Sequence, residues 1–193
     1  MTDFRSESLH PGPSPPDRDL QLRLRAGDEE ALSVLFARHR DDVFALCWRL
    51  AGASIADDLL QETFLRVWLY RASLTGRARF STWLYVVARN VCMDYLSRRA
   101  RDRSLNEDPP APEKTGEPSW TPNAERRVVV QELLAELPLE VREALVLSRF
   151  HGLSYREIGE ISGCSAGAVK VRIHRALERL RTAMKNVEAT RGL

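Results

Sequence analysis

The chain has 193 residues with 29 Lys and Arg against 27 Asp and Glu, a net charge of only +2, so any polyanion-binding surface must come from where charges sit. Cys47, Cys92 and Cys164 are odd in number, far apart and outside any CxxC or Cys/His spacing, which argues against a disulfide framework or a zinc site and favours a reducing cytoplasm. No apolar run reaches transmembrane length and the N-terminus lacks a basic-then-apolar secretory layout, so an intracellular protein without membrane insertion is expected.

Residues 1–17 carry Pro11, Pro13, Pro15 and Pro16 among Ser, His and Gly, and are expected to form a disordered tail. From Asp19 the apolar spacing predicts two helices, with Asp28, Glu29 and Glu30 at the start of the second, where a helix dipole favours negative charge. A third helix is predicted over 56–72, with Ser54 as its cap. At about 100° per residue Ala56, Leu60, Thr63, Phe64 and Val67 share one apolar face. Leu65 and Leu69 fall nearly opposite, flanked by Asp58, Gln61 and Glu62 with Trp68 at the border. Such a second face is either a protein-binding surface or a pair of isolated exposed leucines.

Residues 71–79 read as a basic loop around Gly76, leading into a helix that ends near Arg99. Leu84, Val87, Ala88, Val91 and Tyr95 are its core positions. Phe80, Trp83 and Tyr85 are either core aromatics or, beside a basic loop and Asn90, a platform for unpaired bases. The stretch 103–123, with Pro109, Pro110, Pro112, Pro118 and Pro122 among Glu and Asp, reads as a flexible acidic linker between two domains.

The second domain is expected over 124–187, with a short tail at 188–193. One helix should run to Glu136 and another should start at Pro138, which suits a first turn. Ser154 and Glu157 form a capping box, Gly163 is placed to end that helix in the left-handed region, and Ser165 can cap the next. On this last helix Val169, Ile173, Ala176, Leu177, Leu180 and Met184 form the core stripe, while Lys170, Val171, His174, Arg175 and Arg181 face out. Helix, tight turn and basic-faced helix fit a helix-turn-helix that enters a DNA major groove; the plainer reading is a helical hairpin with a solvated charged face. The fold expected is therefore all-α: two small helical domains joined by a Pro-rich acidic linker, the C-terminal one a four-helix domain.

Taken together, DDLLQETFLRVW, RFSTWLYVVARN and LPLEVREALVLSRFHGLSYREIGEISGCS resemble the extracytoplasmic-function (ECF) sigma factors of bacterial RNA polymerase. The resemblance implies that 18–102 is sigma region two and 124–187 is region four. It implies that Asp58, Gln61, Glu62, Leu65, Trp68 and the adjoining Leu69 meet core polymerase. Phe80, Asn90, Asp94 and Arg98 would handle the opened minus-ten strand, and Lys170, Val171, Arg172, His174 and Arg175 would read the minus-thirty-five element. Core RNA polymerase, promoter DNA and an anti-sigma factor are the partners it implies. Where the family commonly has Gly-Thr-Val-Lys-Ser-Arg, this chain has Gly167-Ala168-Val169-Lys170-Val171-Arg172, losing two hydroxyls, so the promoter sequence does not carry over. Gly159 replaces a usual alanine at an expected helix cost of about 1 kcal/mol.

No nucleophile–base pair, metal cluster or phosphate-cradling Gly loop is evident, so neither cofactor nor bond chemistry is expected. The alternatives are a dimeric helix-turn-helix regulator acting without polymerase, and an all-helical adaptor that never touches DNA.

Overall fold

The computed structural model describes residues 16–75, 79–105 and 124–191, with the backbone alone for 103–105, 124–129 and 185–191. The tail before Pro16, Gly76 and most of the linker lie outside the described residues. Within them the chain is all helix: α1 Asp17–Arg25, α2 Glu29–Ala51, α3 Ala56–Leu69, α4 Phe80–Leu105, α5 Ala124–Ala135, α6 Leu139–Arg149, α7 Tyr155–Ser162 and α8 Ala166–Arg191. Among the described residues no helix is long and apolar enough to cross a membrane.

The spine of the N-terminal half is α2, which packs against α1, α3 and α4. Its first turn is fixed by Asp28, whose carboxylate accepts from the Ala31 amide at 3.1 Å. The Arg23 guanidinium also bonds Asp28 and holds its carboxyl below the usual range. Leu35, Val43, Leu46, Cys47 and Leu50 of α2 are sealed against Leu20 and Leu24 of α1, Phe64 and Val67 of α3, and Leu84, Ala88 and Val91 of α4. The apolar face expected of α3 is the buried one, with Leu59 added to it.

Three local features differ from the sequence expectation. A 3-10 turn at Ala53–Ile55 precedes α3, so Ile55 rather than Ser54 occupies the N-cap position and no side chain caps it. Helix α4 runs on to Leu105, since no Gly or Pro interrupts 98–105 and Arg98 and Arg101 bond carbonyls of their own preceding turn. Helix α8 likewise continues to Arg191, through part of the expected tail, and Met184 near its end is exposed rather than core.

In the C-terminal half, Pro138 stands at the N-cap of α6, one residue before its first turn. The capping box at α7 is complete: Ser154 accepts from the Glu157 amide, and Glu157 accepts from the Ser154 amide at 2.9 Å. Gly163 ends α7 at φ 65°, where a side chain would be strained, and the Ser165 hydroxyl accepts from the Ala168 amide at 3.1 Å to start α8. Gly159 lies beneath the turn, close to the Cys164 carbonyl. Leu134, Leu145, Leu147, Ile158, Val169, Ile173 and Ala176 make the core here.

The two halves meet in a polar seam. Gln131 Nε2 donates to the Trp48 carbonyl at 2.8 Å and Arg142 Nη1 to the Leu50 carbonyl at 3.0 Å. Arg89 grips both carboxylate oxygens of Glu143 at 3.1 and 3.3 Å, and the Ser162 hydroxyl donates to the same carboxylate. Thr82 Oγ1 donates to Glu157 at 3.3 Å, the Tyr85 and His151 rings lie 4.7 Å apart, and the Arg49 guanidinium sits 4.1 Å over Phe150.

Candidate protein and nucleic-acid interfaces

With one side of α3 buried, its other side is set by the same helical period. Asp58 and Gln61 are exposed, and Leu65 and Leu69, one turn apart, are 52% and 60% exposed. Glu62 is half-buried and accepts from Arg66 Nε at 2.7 Å. Trp68 lies partly covered at the border, with the Arg71 guanidinium 4.2 Å from its ring centroid and bonded to its carbonyl. Tyr70, 57% exposed, widens the apolar patch beyond Leu69. The sequence predicts the helix to run to 72, but it ends at Leu69 and Tyr70 is its C-cap, so the helical period does not place this side chain. Two leucines and a tyrosine left in water beside carboxylates and an amide form a surface suited to a protein partner with apolar and basic groups.

On α4, Asn90, Asp94 and Arg98 follow one another at four-residue spacing and are all exposed, so the helix displays them as one stripe. Each is oriented by a neighbour. Arg89 Nη1 donates to Asn90 Oδ1 at 3.1 Å, Arg66 Nη1 donates to Asp94 at 2.7 Å, and Arg98 Nε reaches the Asp94 carbonyl at 3.3 Å. Asp94 and Glu62 together raise the Arg66 guanidinium above its ordinary pKa, the Asp94 hydrogen bond being the larger cause. Arg66 thus ties the outer face of α3 to the stripe on α4. Phe80 departs from the expected set: it is only 2% exposed, packed against His39 at 5.4 Å and Trp83 at 6.1 Å. Its ring is a floor beneath the surface, because the first turn of α4 faces α2 at that position.

On α8, Lys170, Val171, His174 and Arg175 are exposed, Val171 by 48%. His174 Nε2 lies 3.3 Å from Glu178 along the helix. Arg172 is the second departure. It turns inward, its Nη2 donating to Glu140 at 2.6 Å and its Nη1 to Cys164 Sγ at 3.4 Å. Two residues from Lys170 the helix has turned about 200°, so Arg172 braces α8 against the start of α6 instead of sharing the outer face. The outward set offers two permanent cations, an imidazole and one apolar side chain. Those groups can bond phosphates and base edges and can touch a thymine methyl.

Family models divide the chain along the same lines. One described as Sigma-70 region 2 matches residues 35–102, and one described as Sigma-70, region 4 matches residues 127–180. RNA polymerase sigma factor CarQ of Myxococcus xanthus is 35% identical over 169 residues, covering 86% of this chain and 96% of that one. The ECF RNA polymerase sigma-E factor of Haemophilus influenzae is 31% identical over 174 residues, covering 84% and 92%. The chain belongs to the ECF sigma factors.

Among solved structures, CnrH in complex with the cytosolic domain of CnrY is similar with a TM-score of 0.66 and 27% identity, over 88% of this sigma factor and 97% of that chain. The sigma factor RpoE of Bartonella quintana, solved with the anti-sigma factor NepR, shares the fold at a TM-score of 0.66 and 23% identity, over 79% and 96%. As a sigma factor the protein binds core RNA polymerase, directs it to promoters and assists strand opening. Sigma factors are not enzymes.

Proposed function

We propose that the three outward surfaces divide this work. The face of α3 bearing Asp58, Gln61, Glu62, Leu65, Trp68 and Leu69 docks on core polymerase. The stripe of Asn90, Asp94 and Arg98 holds the opened minus-ten strand, and Phe80 packs the first turn of α4 against His39 of α2. Lys170, Val171, His174 and Arg175 read the minus-thirty-five element, Arg172 holding their helix in place. Residues 18–102 and 124–187 are the two working domains, and the protein acts in the cytoplasm with no bond chemistry of its own.

The observation that carries this reading is the exposure of Leu65 and Leu69 on a helix whose opposite side is fully buried. Spacing explains why a large partner is needed. Eighteen residues separate Leu105 from Ala124; a flexible chain of that length has a mean span of about 23 Å, whereas promoter elements about two DNA turns apart are separated by roughly 70 Å. Core polymerase sets the two readers at that distance, and the pair then binds as one bivalent unit. An anti-sigma factor, as in the RpoE complex with NepR, would act by covering one of these surfaces.

Run-off transcription with purified core polymerase and genomic templates tests the assignment. Specific start sites that depend on both core and this chain are expected. Promoter binding of equal strength with and without core at matched salt would overturn it.

A further inference from the structure

Arg66 stands between the docking face of α3 and the strand-holding stripe of α4 without belonging to either. Its side chain is 22% exposed; Nε donates to Glu62, one turn back on its own helix, at 2.7 Å, and Nη1 reaches across to Asp94 Oδ2, also at 2.7 Å. A guanidinium is a rigid plane, so fixing Nε fixes the direction in which Nη1 points. We propose that Arg66 is a specificity-positioning residue for the minus-ten strand: by occupying one oxygen of Asp94 it aims the other, as a single acceptor, at the exocyclic amino group of an unpaired cytosine or adenine. This inference rests on the assignment of Asp94 to the minus-ten strand made under the proposed function.

Charge explains why an acid at this place needs a partner. A carboxylate repels the phosphates of an approaching strand, and it only accepts hydrogen bonds, so the DNA groups it gains from are the N–H groups of bases. Arg66 beside it and Arg98 one turn along α4 offset the repulsion. The Asp94 side chain is 54% exposed, and its Oδ1 has no hydrogen-bond partner among the described residues. Its neighbours on the stripe do the opposite job. Asn90 has its Oδ1 engaged by Arg89, which leaves its amide N–H groups to donate, and the Arg98 guanidinium has donors alone. Asp94 is the member of the three that receives.

Holding one oxygen also decides which base fits. A free carboxylate turns about its last bond and takes two donors side by side, as the N1–H and N2–H groups of guanine offer. With Oδ2 held by Arg66, one acceptor in one direction remains, which suits the lone amino group of cytosine or adenine. Thymine sets its N3–H between two carbonyl oxygens that the carboxylate repels. A partly exposed ion pair adds little to stability, so the loss of Arg66 should be read in base choice rather than in folding.

The test uses holoenzyme assembled from core polymerase and the full chain, on a promoter found by run-off transcription and then randomised through its minus-ten element, each template carrying a transcribed tag. Sequencing the transcripts gives the base preference at every position, and because preference is a ratio among templates, any change in core capture through Glu62 cancels. Asp94→Asn should alter one position, at which wild type favours cytosine or adenine. Arg66→Gln should reduce the preference at that same position several-fold and leave the others as they were; Arg66→Lys, which keeps the charge without the fork, should restore part of it. A wild-type preference for thymine or guanine at that position overturns the inference. So does Arg66→Gln weakening every position alike, which would make Arg66 a structural brace. If Asp94→Asn shifts a position that Arg66→Gln leaves untouched, the inference fails and the assignment of Asp94 stands. If Asp94→Asn shifts no position, that assignment falls and the inference falls with it.

Discussion

A Cβ placed on Gly159 would stand 2.6 Å from the carbonyl oxygen of Cys164. Helix propensity alone makes this glycine a local cost, but the α7–α8 turn folds back over it so closely that only a hydrogen fits. The contact is backbone, not the yielding end of a side chain. Gly159→Ala should therefore lower the stability of the C-terminal half by about 1–3 kcal/mol despite the better helix former. Chemical denaturation followed by helicity checks this, and an alanine variant as stable as wild type would show that the turn relaxes freely.

Leu65 and Leu69 can be changed without touching the core. Leu65→Asp with Leu69→Asp should leave stability within about 0.5 kcal/mol per site of wild type, as surface replacements do. Capture of the chain by core polymerase should nonetheless drop at least tenfold. Leu60→Asp, on the buried side of the same helix, should instead unfold the N-terminal half. Equal core binding by the doubly charged variant would remove α3 as the docking face.

Arg175 faces outward on α8 while Arg172 is tied to Glu140. Arg175→Ala should weaken upstream promoter binding by holoenzyme and reduce the slope of log affinity against log salt by about 1. Arg172→Ala should act mainly through lost stability, leaving the slope unchanged. The reverse pattern would exchange their roles.

Burial pushes the His151 imidazole down to about 4, with the Arg49 guanidinium adding to the effect. Because its folded pKa lies below its unfolded one, the unfolded chain binds the extra proton between the two values. Stability then rises with pH across that window. Acidification from about 6.5 toward 4 should thus cost wild type more stability than it costs His151→Phe. Urea midpoints measured across this range for both proteins decide it, and parallel curves would refute the assignment.

Most of the fold was readable from local signals, and the reasons differ by residue. The buried face of α3 follows from its period, and Ser154, Glu157, Gly163 and Ser165 mark helix ends by chemistry that acts within four residues. The surfaces were less legible. The sequence left Phe80 open between core and base platform, and only its contact with His39 of α2 decides for the core; Arg172 shared a basic run with Lys170 although the helix turns it away. The seam was invisible altogether. Arg89 with Glu143, and Arg142 with Leu50, are separated by 54 and 92 positions, and no helical period links partners at that range.

The docking of Gln131 and Arg142 on the last turn of α2 has an evolutionary corollary. Both reach main-chain oxygens, which no codon change at Trp48 or Leu50 can delete. Sequence drift on that side can reshape the landing ground but cannot erase its acceptors. Loss of the grip must therefore come through the two donors, and comparison of kindred chains should find co-variation there weaker than at a matched pair of side chains.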